Sequence, residues 1–257
     1  MRQCLYVALA ALIMGLLGLV PFGACSSPRP GSEAKAAIID QLYDVQPNEA
    51  FVSEVRQQLK ALGLEVDIYQ GDEVTVDFYQ KLPSHGYRLI IFRVHSGLLV
   101  KEGEMAEGTW LFTSEPHSPV KYTEQRLAGS IVKARTDEQH PWVFAVGSDF
   151  IVQNMEGQFD NAVIIMMGCF SLCLDDLARA FVKKGADTCL GWNGNLSLGY
   201  VDEATIKLIN NLCREEMTIK RAIGKVMADM GTSPVYNAEL VCYPAQNGYK
   251  TINKIIR

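Results

Sequence analysis

The sequence predicts an α/β fold: a mostly parallel central sheet with helices on both faces. Strand-like and helix-like patterns alternate along the chain from about residue 35 onward. Such alternation belongs to a parallel sheet covered on both sides. Two of the strand patterns, Tyr87 to Val94 (YRLIIFRV) and Ala162 to Met167 (AVIIMM), are nearly continuous apolar runs. Runs of that kind suit central strands. The stretch from residue 35 to Arg257 has the length of one domain of good size.

The elements follow in order. Ala36 to Leu42 (AAIIDQL) reads as the first strand. Asn48 caps a helix that carries Phe51, Val52, Val55, Leu59 and Leu62 on one face and stops at Gly63. Leu64 to Tyr69 alternates as the second strand, and a short helix spans Val76 to Lys81. Tyr87 to Val94 and Ala162 to Met167 are the third and fourth strands. Asp175 or Asp176 caps a helix that ends at Gly185, and Ala186 to Gly191 is the fifth strand. Asp202 starts a helix through Leu212, Thr218 starts another through Met230, and Glu239 to Tyr243 closes the sheet. Residues 98 to 160 break the alternation. They hold Thr109 to Thr113 (TWLFT) and Trp142 to Val146 (WVFAV), read as an antiparallel excursion beside the sheet's carboxyl edge, with a short helix at Glu124 to Val132. In open α/β sheets that edge is where ligands bind.

The first 25 residues read as a targeting segment: a charge at Arg2, an apolar run from Cys4 to Val20, then small residues. Gly23-Ala24-Cys25 resembles the end of a bacterial lipobox, which makes Cys25 the candidate for lipidation. An uncleaved helical anchor and ordinary signal cleavage stay open beside the lipoprotein. All three place the folded part outside the cytoplasm, and two tie it to the membrane. Residues 26 to 34, opening SSPRPGS, form a tether with no means of packing. The net charge of −5 and the lack of a basic cluster argue against nucleic acid as a partner. Of the seven Cys, 169, 173, 189, 213 and 242 lie in the domain, at spacings that fit neither a disulfide framework nor a zinc site. Cys189 and Cys213 sit in apolar segments and read as inert.

Two reactive side chains fall at equivalent places. His95 follows the third strand in IIFRVHSG, and Cys169 follows the fourth in IIMMGC. If those strands are neighbours, their ends lie about 5 Å apart. Cysteine needs the least help of any nucleophile but must become a thiolate, and an imidazole supplies the base. Backbone N–H groups at Cys169 and around Ser96 and Gly97 are candidates for an oxyanion hole. Arg93 is expected to pair with a carboxylate. Asp149 is placed in the substrate groove, against the default of a solvated loop. His85, His117 and His140 lack partners at any catalytic or metal spacing and read as surface residues. Trp110 and Trp142 read as core.

The layout of strand-His-x-Gly and strand-Gly-Cys resembles the caspase-like cysteine peptidases, clan CD. That group includes caspases, gingipains, clostripain, separases and CHAT domains. MGCFS is nearest to the nucleophile motif of separases and CHAT domains, and DLARAFVKKGADTCLGWNGNLSLGYVDEA is similar to their downstream pattern. The resemblance covers most of residues 36 to 243. It implies a caspase-like three-layer sandwich with strand order 2-1-3-4-5-6 and a peptidase that needs no cofactor. It makes Cys169 the nucleophile and His95 the general base. It also implies that Trp192 lines the groove and that Asp202 holds the start of a helix. Ser96 stands where most members place the glycine that follows the histidine. The other expectation is a catalytically silent module of the same fold that binds a peptide or a partner protein.

Overall fold

The structure, a computed structural model, describes residues 34–99 and 107–256. The readings at Cys4, Cys25 and the tether up to residue 33 lie outside the described residues. Among the described residues no helix is long and apolar enough to cross a membrane.

β1 (Lys35–Asp40) leads into α1 (Glu49–Ala61), whose first turn is capped as expected. The Phe51 N–H donates to Asn48 Oδ1 at 3.0 Å. β2 (Glu65–Gln70) and α2 (Val76–Lys81) follow, and Thr75 caps α2 through the Phe78 N–H. β3 (Tyr87–Arg93) passes almost at once into β4 (Ser96–Leu99). Next come β5 (Gly108–Pro116), α3 (Thr123–Leu127), β6 (Ile131–Ala134), β7 (Val143–Val146) and α4 (Ser148–Gln153). β8 (Val163–Met166), α5 (Asp176–Lys183) and β9 (Thr188–Trp192) return the chain to the main sheet. α6 (Leu198–Cys213), α7 (Ile219–Met230), β10 (Leu240–Tyr243) and α8 (Ile252–Ile256) complete it.

The main sheet has the order β2-β1-β3-β8-β9-β10. Counted over its own six strands, that is the expected 2-1-3-4-5-6. The first five strands pair in parallel, while β10 runs antiparallel to β9, so the sheet is mixed. β3 shows how one sequence serves two layers. Leu89 and Ile91 join a core with α1, α6, α7 and α8, and Ile90 and Phe92 join a second core with α2, α4 and α5. The two-residue period of a strand sends neighbours to opposite faces, so an unbroken apolar run fills both cores. β4, β5, β7 and β6 form a separate four-stranded antiparallel sheet that packs Leu111, Ile131, Phe144 and Val146 into the second core.

Three expectations need correction. α6 begins at Leu198, with Ser197 at the N-cap position, so Asp202 lies inside the helix and does not start it. Its carboxylate is used elsewhere, as described below. The excursion holds four strands, not two. The helix read over Glu124 to Val132 stops at Leu127, because Gly129 turns the chain at φ +73° and β6 begins at Ile131. As expected, Asp175 stands at the N-cap position of α5, although its side chain makes no capping hydrogen bond. Asp175 instead accepts from Arg179 at 2.7 Å, and Asp176 accepts from the Thr109 N–H at 2.9 Å.

Candidate active site

β3 and β8 are adjacent, with Phe92 opposite Met166. Continued past the strand ends, that register would set His95 beside Cys169. The backbones come unusually close there. A Cβ on Gly168 would stand 2.2 Å from Ser96 Oγ and 2.7 Å from the Val94 carbonyl oxygen. Only glycine fits that gap. Just beyond it, the Ser96 hydroxyl donates to the Cys169 carbonyl at 2.6 Å. The residues on both sides of His95 therefore touch the backbone that carries Cys169.

A buried ion-pair network holds the same strand end from the other face. Arg93 is 1% exposed. It donates to Asp202 through Nε and Nη2 at 2.9 and 3.0 Å, and to Asp40 through Nη1 at 2.8 Å. Its Nη2 also reaches the Gln46 carbonyl at 3.0 Å. Asn48, the α1 cap, donates to Asp202 at 2.8 Å. Burial works against the charge on Arg93, but Asp202 and Asp40 outweigh it and its pKa is raised. Arg93 thus pairs with carboxylates as expected. Asp202, expected to hold a helix start, instead ties α6 to β3 and to the cap of α1.

His95 is half-buried. Its N–H donates to Gln41 Oε1 at 3.0 Å, and its carbonyl accepts from the Phe112 N–H at 3.0 Å. Its ring lies 6.0 Å from the Phe112 ring, centroid to centroid. It lines a cavity of about 80 Å³ together with Gln41, Arg135 and His140. Burial, then the nearby His140 and Arg93, lowers its pKa to about 4. His140 was read as a surface residue without partners. It is exposed, yet it shares this cavity, and its Nδ1 sits 2.8 Å from Asp137 Oδ1. The only sequence signal for it was the Asp three residues earlier, which is a common local pairing.

Cys169 is also half-buried, and its Sγ lies 3.8 Å from the Leu196 carbonyl oxygen. Burial pushes the thiol pKa up, with backbone groups of Leu196 and of Cys169 itself working against it. Among the described residues no hydrogen bond joins His95 to Cys169. The positive end of α5 gives the sulfur little help, because that helix opens only at Asp176 and carries Asp175 and Asp176 there. Cys173 is an exposed free thiol, whereas Cys189 and Cys213 are buried as expected.

The expected oxyanion donors fare differently. The bond from the Phe112 N–H to the His95 carbonyl makes Ser96 and Leu111 a non-hydrogen-bonded pair of the β4–β5 ladder. Gly97 and Trp110 are then the next, hydrogen-bonded pair, which commits the Gly97 N–H to the ladder. Ser96 and Cys169 remain as candidates. Trp192 does not wall a groove. Its side chain is 2% exposed and packs edge-on to Tyr200 with ring centroids 5.6 Å apart, because the end of β9 lies beneath α6. Asp149 is exposed in the first turn of α4 and lines neither of the two cavities near His95. Among the described residues no group of three or more His, Cys, Asp or Glu is placed to hold a metal ion. No protein-family model matches this chain, and no curated protein matches it either.

Proposed function

We propose that this chain is an extracytoplasmic, membrane-tethered cysteine endopeptidase of caspase-like fold, using a His95–Cys169 dyad. The thiol of Cys169 attacks a peptide carbonyl. His95 takes the thiol proton and returns it to the leaving amine, and water then hydrolyses the thioester. The N–H groups of Ser96 and Cys169 are the donors for the oxyanion. The observation that carries this reading is the 2.6 Å bond from Ser96 to the Cys169 carbonyl, over a Gly168 that admits no Cβ. It supports the reading by bringing the backbone next to His95 against the backbone of Cys169. Both groups are uncharged at rest, since burial lowers the imidazole pKa and raises that of the thiol. Proton transfer is uphill in the empty site, so it accompanies attack and does not precede it. The export and tether part of the reading rests on the apolar run and Gly23-Ala24-Cys25.

The second reading is a silent peptide-binding module of the same fold. It is favoured by the directions of the two side chains: the imidazole faces Phe112 and the His140 cavity, and the thiol faces Leu196. A thiol-reactive peptide probe and an unbiased peptide mixture separate the two. Wild-type protein should be labelled at Cys169 and should cut peptides. Cys169→Ala should lose both while staying folded, and His95→Ala should depress both strongly. Full cutting by Cys169→Ala sinks the dyad, and peptide binding with neither labelling nor cutting establishes the silent module.

A further inference from the structure

A second cavity opens beside the one that holds His95. Its volume is about 350 Å³, within the range of ligand pockets. Phe112 and Arg135 line both cavities, so the larger begins where the His95 cavity ends. Its body is apolar: Leu98, Leu99, Trp110, Phe112, Val132 and Trp142. The walls are braced. A Cβ on Gly147 would come within 2.8 Å of the Trp110 ring, so that indole lies directly on the backbone of the β7–α4 turn. Ala134 of β6 pairs with Val143 of β7, which sets Trp142 opposite Arg135. Lys133 Nζ and the Arg135 guanidinium lie 4.6 and 4.5 Å from the Trp142 ring centroid. The indole is gripped by two cations and still 40% exposed.

The rim carries two charges of each sign, Lys133 and Arg135 against Asp137 and Glu138. Asp137 is already engaged by His140, and the two cations lie on Trp142. An anionic guest would meet only cations that already rest on Trp142, and a cationic guest only the exposed, well-hydrated Glu138, so either would lose its water for little return. A large uncharged aromatic or aliphatic side chain loses nothing and gains contact with two indoles and a phenyl ring.

We propose that this cavity is the specificity subsite, and that it takes one bulky apolar side chain, aromatic before aliphatic, of a peptide lying along the edge from Gly97 to His95. The proposal rests on the peptidase reading for its catalytic consequence but not for binding, so the two can fail separately. The first test is cleavage of a randomised peptide mixture by the full chain, with the cut sites mapped by mass spectrometry. Phe, Tyr, Trp and Leu should be enriched at one fixed offset from the cut, at least about tenfold over Asp, Glu, Lys and Arg. Trp142→Ala should lower that enrichment. Ala134→Phe, which fills the cavity from β6, should remove it. Cutting without apolar enrichment, or with enrichment unchanged in both variants, overturns the subsite and leaves the peptidase standing.

The second test does not need catalysis. In Cys169→Ala, a tripeptide with a central Phe should shift the indole emission saturably, because Trp110 and Trp142 line the cavity while Trp192 is sealed in the core. The matching Asp and Lys tripeptides should not, and neither should any of the three with Ala134→Phe added. A saturable Phe-specific shift in Cys169→Ala, beside a wild-type chain that cuts nothing, retains the subsite and discards the peptidase. Absence of any Phe-specific shift overturns the subsite.

Discussion

Gly168→Ala tests whether the close approach of β3 and β8 sets the site. The new methyl would stand 2.2 Å from Ser96 Oγ, 2.9 Å from Ser96 Cβ and 2.7 Å from the Val94 carbonyl oxygen. The serine side chain can turn away, at the loss of its bond to Cys169, worth about 1 kcal/mol. The Val94 carbonyl is backbone and cannot turn alone. Overpacking of this kind costs about 1–3 kcal/mol. Against it stands the reduced freedom of the unfolded chain, worth about 0.4–1 kcal/mol when Gly becomes Ala. The clash wins, and a net loss of about 1–2 kcal/mol is expected. For a domain of this size that is a fall in Tm of roughly 2–8 °C. Urea unfolding followed by tryptophan emission measures it. The rate of maleimide labelling of Cys169, in a Cys173→Ser background, reports the local shift. Ser96→Gly removes two of the three short contacts, so Gly168→Ala should cost less in that background, by about 0.5 kcal/mol or more. If Gly168→Ala is as stable as wild type and Cys169 labels at an unchanged rate, the strand ends can part freely and the close approach does not position the dyad.

His95 should make the fold acid-sensitive. Its pKa is about 4 in the folded protein and near the ordinary 6.5 when unfolded, so between those values the unfolded state binds the extra proton. Stability is therefore whole above pH 6.5 and is lost as pH falls toward 4, by no more than about 3 kcal/mol, reduced by screening at a half-buried ring. His95→Gln should flatten unfolding free energy against pH in that window, and equal slopes would refute the assignment. Arg93→Met should be far more damaging at neutral pH, about 3–5 kcal/mol, because it leaves Asp40 and Asp202 buried without their cation. Calorimetry decides it, and a loss under about 1 kcal/mol would mean that the network is not what holds the end of β3.

The fold was legible where local chemistry and tertiary packing agree. The six strands of the main sheet were read to within two residues at each end, because each joins an apolar run to a turn or cap residue. α2 was read at its observed bounds, since Thr75 caps it and Lys81 meets a Pro two residues on. Legibility failed where distant partners decide. Asp202 looks like a helix start, yet its carboxylate is claimed by Arg93, far away in sequence, and α6 extends past it. β4 and β6 have four residues each and exist through their pairing with β5 and β7, which no period in so short a stretch reveals. The larger cavity is a product of that second sheet, so Trp142 read as core and its exposure was missed. His140 was passed over for the same reason: it comes near His95 only through the fold of the excursion.

The backbone around His95 is held at every step. Arg93 is fixed by Asp40 and Asp202, the His95 N–H by Gln41, its carbonyl by Phe112, and Ser96 by the Cys169 carbonyl. The imidazole itself has no hydrogen bond among the described residues. On the proposed peptidase reading, the part of this segment left free to turn about its side-chain bonds is the ring itself. The ring's pKa is low because it is buried, with His140 and Arg93 nearby. A ring that left that cavity would lose part of its burial and the nearness of His140, while Arg93 stayed in place, so its pKa would rise. On that reading, a movement of the ring toward the thiol would also make it a stronger base.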